Sequence, residues 1–181
     1  LEANDADVML DQITVTRSNS TGTRYLASVN RARVTSDSSH FFGNRTTNVG
    51  AIFTVGSGIL DVRNSTFVNN SGGGVWFDLG GRGLVVYSTF AGNGYYNVAA
   101  AIRSDGPTLI SNNIFTETAN VGSVFVHETV EDDVYLYNNL FFETAGSLVD
   151  GRRPRNSIEL LNATQFGGDN FSGNPDLVSI S

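Results

Sequence analysis

Four ionisable residues stand about one repeat apart along the chain: Asp78, Arg103, His127 and Asp150, at intervals of 25, 24 and 23 residues. Histidine titrates near neutrality, a carboxylate can give or take a proton, and a guanidinium forks onto a carboxylate. If one strand per repeat stacks on the next, these side chains form a ladder at about 4.8 Å steps that could supply acid, base and carboxylate recognition. Ile52, Trp76, Ala101, Phe125 and Leu148 are expected to form an outward apolar row beside it. A ring could stack there, or a folded loop or partner chain could cover it. Arg82, in the glycine-rich turn Gly80 to Gly83, is a further candidate for contact with a ligand. The charged row also has a plainer use, because alternating signs avoid like-charge neighbours on a parallel stack, each exposed pair adding about 0 to 1 kcal/mol.

The elements that would position these residues follow from a repeat. Phe41, Phe67, Phe90, Phe115, Phe141 and Phe166 recur at intervals of 26, 23, 25, 26 and 25, and Ile13 is expected to fill the same place one repeat earlier. Five residues before each anchor stand Val8, Ser36, Val62, Val85, Ile110, Leu136 and Leu161. Two before it stand Asp11, Ser39, Ser65, Ser88, Asn113, Asn139 and Thr164, and three after it Thr16, Asn44, Asn70, Asn93, Thr118, Thr144 and Asp169. A second apolar column runs through Phe53, Phe77, Ile102, Val126 and Val149. The short β-rich runs 59–62, 84–87 and 134–137 are bounded by Gly, Asn or Asp, and helix formers are scarce. A unit of this size cannot close a core alone, but stacked units bury a continuous one. The small polar columns belong at the corners, where Asn, Ser and Thr bond neighbouring backbone. The expectation is an all-β, single-stranded parallel β-helix of about seven coils of roughly 25 residues, forming one domain over residues 1–181. Leu1 to Asp7 would cap one end and residues 170–181 the other.

Composition narrows the chemistry. All 11 basic residues of the 181 are arginine, and there is no cysteine, which excludes a disulfide scaffold, a thiol nucleophile and a Cys-ligated zinc site. The absence of lysine counts against a lysine-dependent mechanism. A net charge of −7 disfavours nucleic acid or an anionic membrane as the main partner. No apolar run is long enough to span a bilayer. With neither an initiator Met nor a signal peptide, the chain is read as a mature or excised piece.

Phe41-Phe42-Gly43-Asn44, Phe67-Val68-Asn69-Asn70 and Phe90-Ala91-Gly92-Asn93 match an F-x-x-N repeat, and Gly50-Ala51-Ile52 and Gly73-Gly74-Val75 look like its G-G-A-I partner. These resemble the repeats of polymorphic outer-membrane proteins and bacterial surface β-helix proteins, within the right-handed, pectin-lyase-like parallel β-helix superfamily. Residues 173–178 are similar to the segment that often ends such secreted helices. The resemblance implies a right-handed coil and a secreted or cell-surface location. It leaves activity open, because such folds carry lyases, hydrolases, esterases, tailspikes and adhesins alike.

Weaker signals remain. The acidic run 127–133 could bind calcium, but lacks the alternating spacing of a dedicated loop and reads better as a solvated turn. No other cofactor is implied. Arg152, Arg153 and Arg155 could meet an acidic polysaccharide or balance that run, and Glu117 and Glu143 occupy equivalent positions in adjacent coils. His40 adjoins an anchor Phe and reads as structural, and six N-x-S/T sequons begin at Asn19, Asn44, Asn64, Asn69, Asn162 and Asn170. The leading expectation is a non-catalytic secreted or cell-surface module, adhesive or carbohydrate-contacting. The alternative is a carbohydrate-active enzyme on acidic polysaccharide, with Asp78, Arg103, His127 and Asp150 catalytic and Trp76, Phe125 and Arg82 holding substrate. Self-association through the coil ends or the apolar row is the third possibility.

Overall fold

The computed structural model describes residues 1–19, 25–46, 51–94, 101–116, 122–127, 130, 133–142, 148–151, 154, 156–163 and 167–172. Their strands form three parallel sheets of seven, each taking every third strand in chain order, so the chain is an all-β parallel solenoid. Sheet A begins with Glu2–Asn4 and ends with Val149–Gly151; sheet B runs from Asp7–Asp11 to Gly167–Gly168; sheet C runs from Thr14–Thr16 to Phe171–Ser172. Although seven strands stack in each sheet, the regular solenoid amounts to about four turns rather than the seven expected. In the last rung a helix precedes two two-residue strands, the shortest among the described residues.

Alternation puts every second residue inside. The inward anchors Phe41, Phe67, Phe90, Phe115 and Phe141 stack face to face, with centroids 4.8, 4.8, 5.3 and 5.1 Å apart and planes within 17° of parallel. Beside them the small polar columns build two buried hydrogen-bonded ladders. Asn44, Asn70 and Asn93 form one: Asn44 Nδ2 donates to Asn70 Oδ1 and Val15 O, and Asn70 Nδ2 donates to Asn93 Oδ1 and Phe41 O. Ser39, Ser65, Ser88, Asn113, Asn139 and Asn170 form the other, each accepting a backbone N–H from the rung before it. An asparagine amide has both a donor and an acceptor to hand upward and downward, which is why it can repeat indefinitely on a parallel stack. The residue before each member of this second ladder turns the corner in the left-handed region, Ser38, Asn64, Tyr87, Asn112, Asn138 and Asp169, as does Gln12 before Ile13 in the first rung. The frequent Asn at that corner is the residue that tolerates this conformation best after Gly.

Several expected alignments shift. In the first rung Val15, not Ile13, pairs with Phe41, and Leu10, not Val8, pairs with Ser36. Ile13 thus takes the polar-ladder place expected for Asp11, and Ser18 the place expected for Thr16. Both slips are of two residues, and a two-residue slip keeps every side chain on its own face. In the last rung Ser172 pairs with Phe141, and Asn170 fills the ladder place expected for Thr164. Phe166 and Thr164 themselves lie outside the described residues. The intervening residues form an unexpected helix, Ile158–Asn162, whose cap Ser157 accepts the N–H of Leu160 and which buries Leu161 in the core.

Candidate functional site

The outward face of sheet A holds the residues singled out for chemistry, but in a different register. The expected alignment of Phe53 with Phe77 does not form: Phe53 pairs with Val75, which pairs in turn with Ile102, Val124 and Val149. The outward row between them is therefore Thr54, Trp76, Arg103 and Phe125, with Asp150 paired to Phe125 in register. Trp76 and Phe125, expected in one row, and Arg103, expected in the other, thus share a single row, with the guanidinium between two rings.

Arg103 Cζ lies 4.4 Å from the Trp76 ring centroid and 5.1 Å from that of Phe125. Rungs about 4.8 Å apart bring successive outward side chains to this spacing. Its edge meets the carboxylate of Asp105, two positions along the same strand and turn, through Nε at 3.2 and 3.0 Å and Nη2 at 2.9 Å. The Asp105 side chain is only 5% exposed, and the indole Nε1–H of Trp76 donates to its Oδ2 at 3.0 Å. Asp105 thus anchors both Arg103 and Trp76. Burying a carboxylate is costly unless it is paired and hydrogen-bonded, and here it is both. The turn behind it is tied by Ser104 Oγ, which donates to Gly106 O at 2.6 Å and contacts Thr108 Oγ1 at 2.7 Å.

Asp78 and His127 do not join this row. Their backbone N–H groups donate to Val55 O and Ser104 O, while that of Asp105 donates to Phe77 O, so Asp78, Asp105 and His127 form the next position towards the corner. The Asp78 carboxylate accepts the N–H of Leu79, holding its own turn. Arg82 is exposed on the neighbouring sheet, at the start of Arg82–Val86 and paired with Ile59. Ile52 and Ala101, expected outside, are fully buried in the core, and Leu148 is partly buried against it. At this corner Gly74 and Val75 both donate to the carbonyl of Ala101. A Cβ on Gly74 would stand 2.6 Å from the Phe90 ring and 2.9 Å from Ala101 O, so glycine is required there.

Asp105 is the residue that sequence reasoning missed. Its signal was its place two residues after Arg103, just before the Gly106-Pro107 turn, but its partner Trp76 became visible only with the register. Glu117, Glu128, Glu131, Asp132, Glu143, Arg152, Arg153 and Arg155 lie outside the described residues, as does the tail from Gly173, so the calcium and arginine expectations fall there. Among the described residues no three His, Asp or Glu side chains gather as a metal site, and no helix is long and apolar enough to cross a membrane. His40 Nδ1 contacts Thr66 Oγ1 at 2.7 Å on the exposed side of sheet C. Among the sequons, Asn44 and Asn170 are buried in the ladders, whereas Asn64 and Asn69 are exposed. Compared with known protein families and with curated proteins, the chain matches none.

Proposed function

We propose that the chain is a non-catalytic module of a secreted or cell-surface protein, a right-handed β-helix of the pectin-lyase-like kind that contacts carbohydrate or another surface without turning it over. The observation that carries this reading is the state of Arg103. Both of its faces are covered by rings and its edge is bonded to a buried carboxylate. A cation meant to receive a substrate carboxylate needs its fork open, and this fork is filled from within the chain. Asp78 and His127, two of the candidate catalytic residues, stand two residues further along their strands than Trp76 and Phe125, level with Asp105. What the row offers a ligand is a rigid edge of Trp76 and Phe125, both partly exposed, on a scaffold in which each rung fixes the next.

A panel of neutral and uronate-containing polysaccharides, with and without calcium, tests this. Binding without unsaturated or reducing-end products, weakened by Phe125→Ala, is the expected result. Turnover lost on Arg103→Ala and His127→Ala in variants that remain folded would establish the enzyme reading instead.

A further inference from the structure

The outward face of sheet B changes character along the solenoid. Two of its columns run in register, one through Thr35, Asp61, Leu84, Leu109 and Tyr135, the other through Asp37, Arg63, Val86, Ser111 and Tyr137. Charge is confined to the earlier rungs; from Leu84 and Val86 onward both columns are uncharged, and they end in aromatic rings. Tyr135 and Tyr137, two residues apart on one strand, hold their rings nearly parallel, with 12° between planes and 6.3 Å between centroids, and Tyr135 is 43% exposed. Gly168, the register partner of Tyr137 in the next rung, leaves room for its ring, because a Cβ there would stand 3.0 Å from it.

The corner beside these columns carries a third tyrosine, and carries it at a cost. Asn64, Asn112 and Asn138 take the left-handed turn in nearby rungs, but Tyr87 takes it at φ 53°. A bulky side chain is disfavoured in that region. With 64% of its surface exposed, Tyr87 gains little packing within the chain to offset the strain. Strain kept at an exposed aromatic residue points to a contact outside the chain. The rung between Tyr87 and Tyr137 is polar: Asn112 is exposed there, and its Nδ2 donates to Ser111 Oγ at 3.3 Å. Along the stack the order is thus ring, amide, ring, in steps of about 4.8 Å.

We propose that Tyr87, Tyr135 and Tyr137, with Asn112 among them, form a binding surface for a neutral polysaccharide chain running along the solenoid axis. It rests on the carbohydrate-contacting reading above and adds a contact on a different sheet from Trp76 and Phe125. Three features choose that ligand. A sugar ring has an apolar face and a rim of hydroxyls, which suits exposed phenol rings alternating with an amide. Neither column holds a cation from Leu84 and Val86 onward, so nothing in them rewards a uronate carboxylate. The groups also recur at the fixed step of a stacked repeat, so a polymer with a repeat of its own meets them in succession.

Affinity electrophoresis in native gels containing a soluble neutral β-glucan, a galactomannan or polygalacturonate tests the proposal. A neutral polymer should retard the chain and polygalacturonate should not. Tyr87→Asn should weaken that binding at least about tenfold in Kd while raising Tm, so the loss cannot come from unfolding. Tyr135→Ala should weaken it to a similar extent. Phe125→Ala separates the two faces. Binding lost in that variant but unchanged in Tyr87→Asn and Tyr135→Ala would overturn the proposal and leave the carbohydrate reading standing, whereas no retardation by any polymer would overturn both. Retardation by polygalacturonate alone, or self-association of the chain that Tyr135→Ala abolishes, would also overturn the proposal.

Discussion

Replacing Arg103 by leucine tests whether the cluster on sheet A is a structural clamp. The substitution removes two cation–ring contacts, each about 0.5 to 1 kcal/mol at a partly exposed site. It also removes charge-assisted hydrogen bonds to Asp105, worth about 1.5 to 3 kcal/mol together with the cost of leaving that carboxylate less well paired. The guanidinium is 26% exposed, so solvent reduces the electrostatic part, and the indole Nε1–H stays on Asp105. The net expected loss is about 2 to 4 kcal/mol, less than for a fully buried pair. Trp76 is the only tryptophan, so its fluorescence reports the clamp directly while far-ultraviolet dichroism reports the stack, both followed in urea. A cycle with Asp105→Asn completes the test. The double variant should lose at least about 1 kcal/mol less than the sum of the single losses, because the two residues serve one another. A loss below about 0.5 kcal/mol for Arg103→Leu, or strict additivity in the cycle, would refute the clamp.

Asn70→Ala should cost about 2 to 4 kcal/mol by urea denaturation, because it leaves Phe41 O and the Asn44 N–H buried without their partners. Asn69→Ala, one residue away on the exposed corner, should cost about 1 kcal/mol or less, mainly from its left-handed backbone. Tyr87 holds a left-handed corner, at φ 53°, where three other rungs use Asn, so Tyr87→Asn should stabilise by about 0.5 to 1 kcal/mol, read as a rise in Tm. The Asp5 carboxyl, bonded by Arg31, is held below its ordinary pKa, and Arg31 is correspondingly raised. That pair's contribution is present above the ordinary carboxylate range and is lost as pH falls through the lowered Asp5 value. A carbon-detected NMR titration should show Asp5 returning to its ordinary value in Arg31→Ala, and no change there would refute the pairing.

Much of the architecture was legible because it rests on residue class at a fixed period. Phe at the anchor, Asn or Ser two before it and Asn three after it state which side chains face in, which hand hydrogen bonds along the stack, and where corners fall. The helix near the end was not legible: it spans five residues in a chain poor in helix formers, and its Ser157 cap carries little weight without the core that receives Leu161. The site was half legible. Trp76, Arg103 and Phe125 were marked, but as members of two rows, and Asp105 was passed over.

The reason is a degeneracy of strands. Alternation has a period of two, so pairing Phe53 with Val75 or with Phe77 places the same residue classes inside and outside, and an apolar pattern cannot tell them apart. The sequence alone determined a stack of parallel coils with a phenylalanine core and polar corner ladders. The tertiary structure decided the register, with Ile52 and Ala101 packed into the core and Gly74 too close to the Phe90 ring and Ala101 O for any side chain. That choice set Arg103 between two rings and against Asp105.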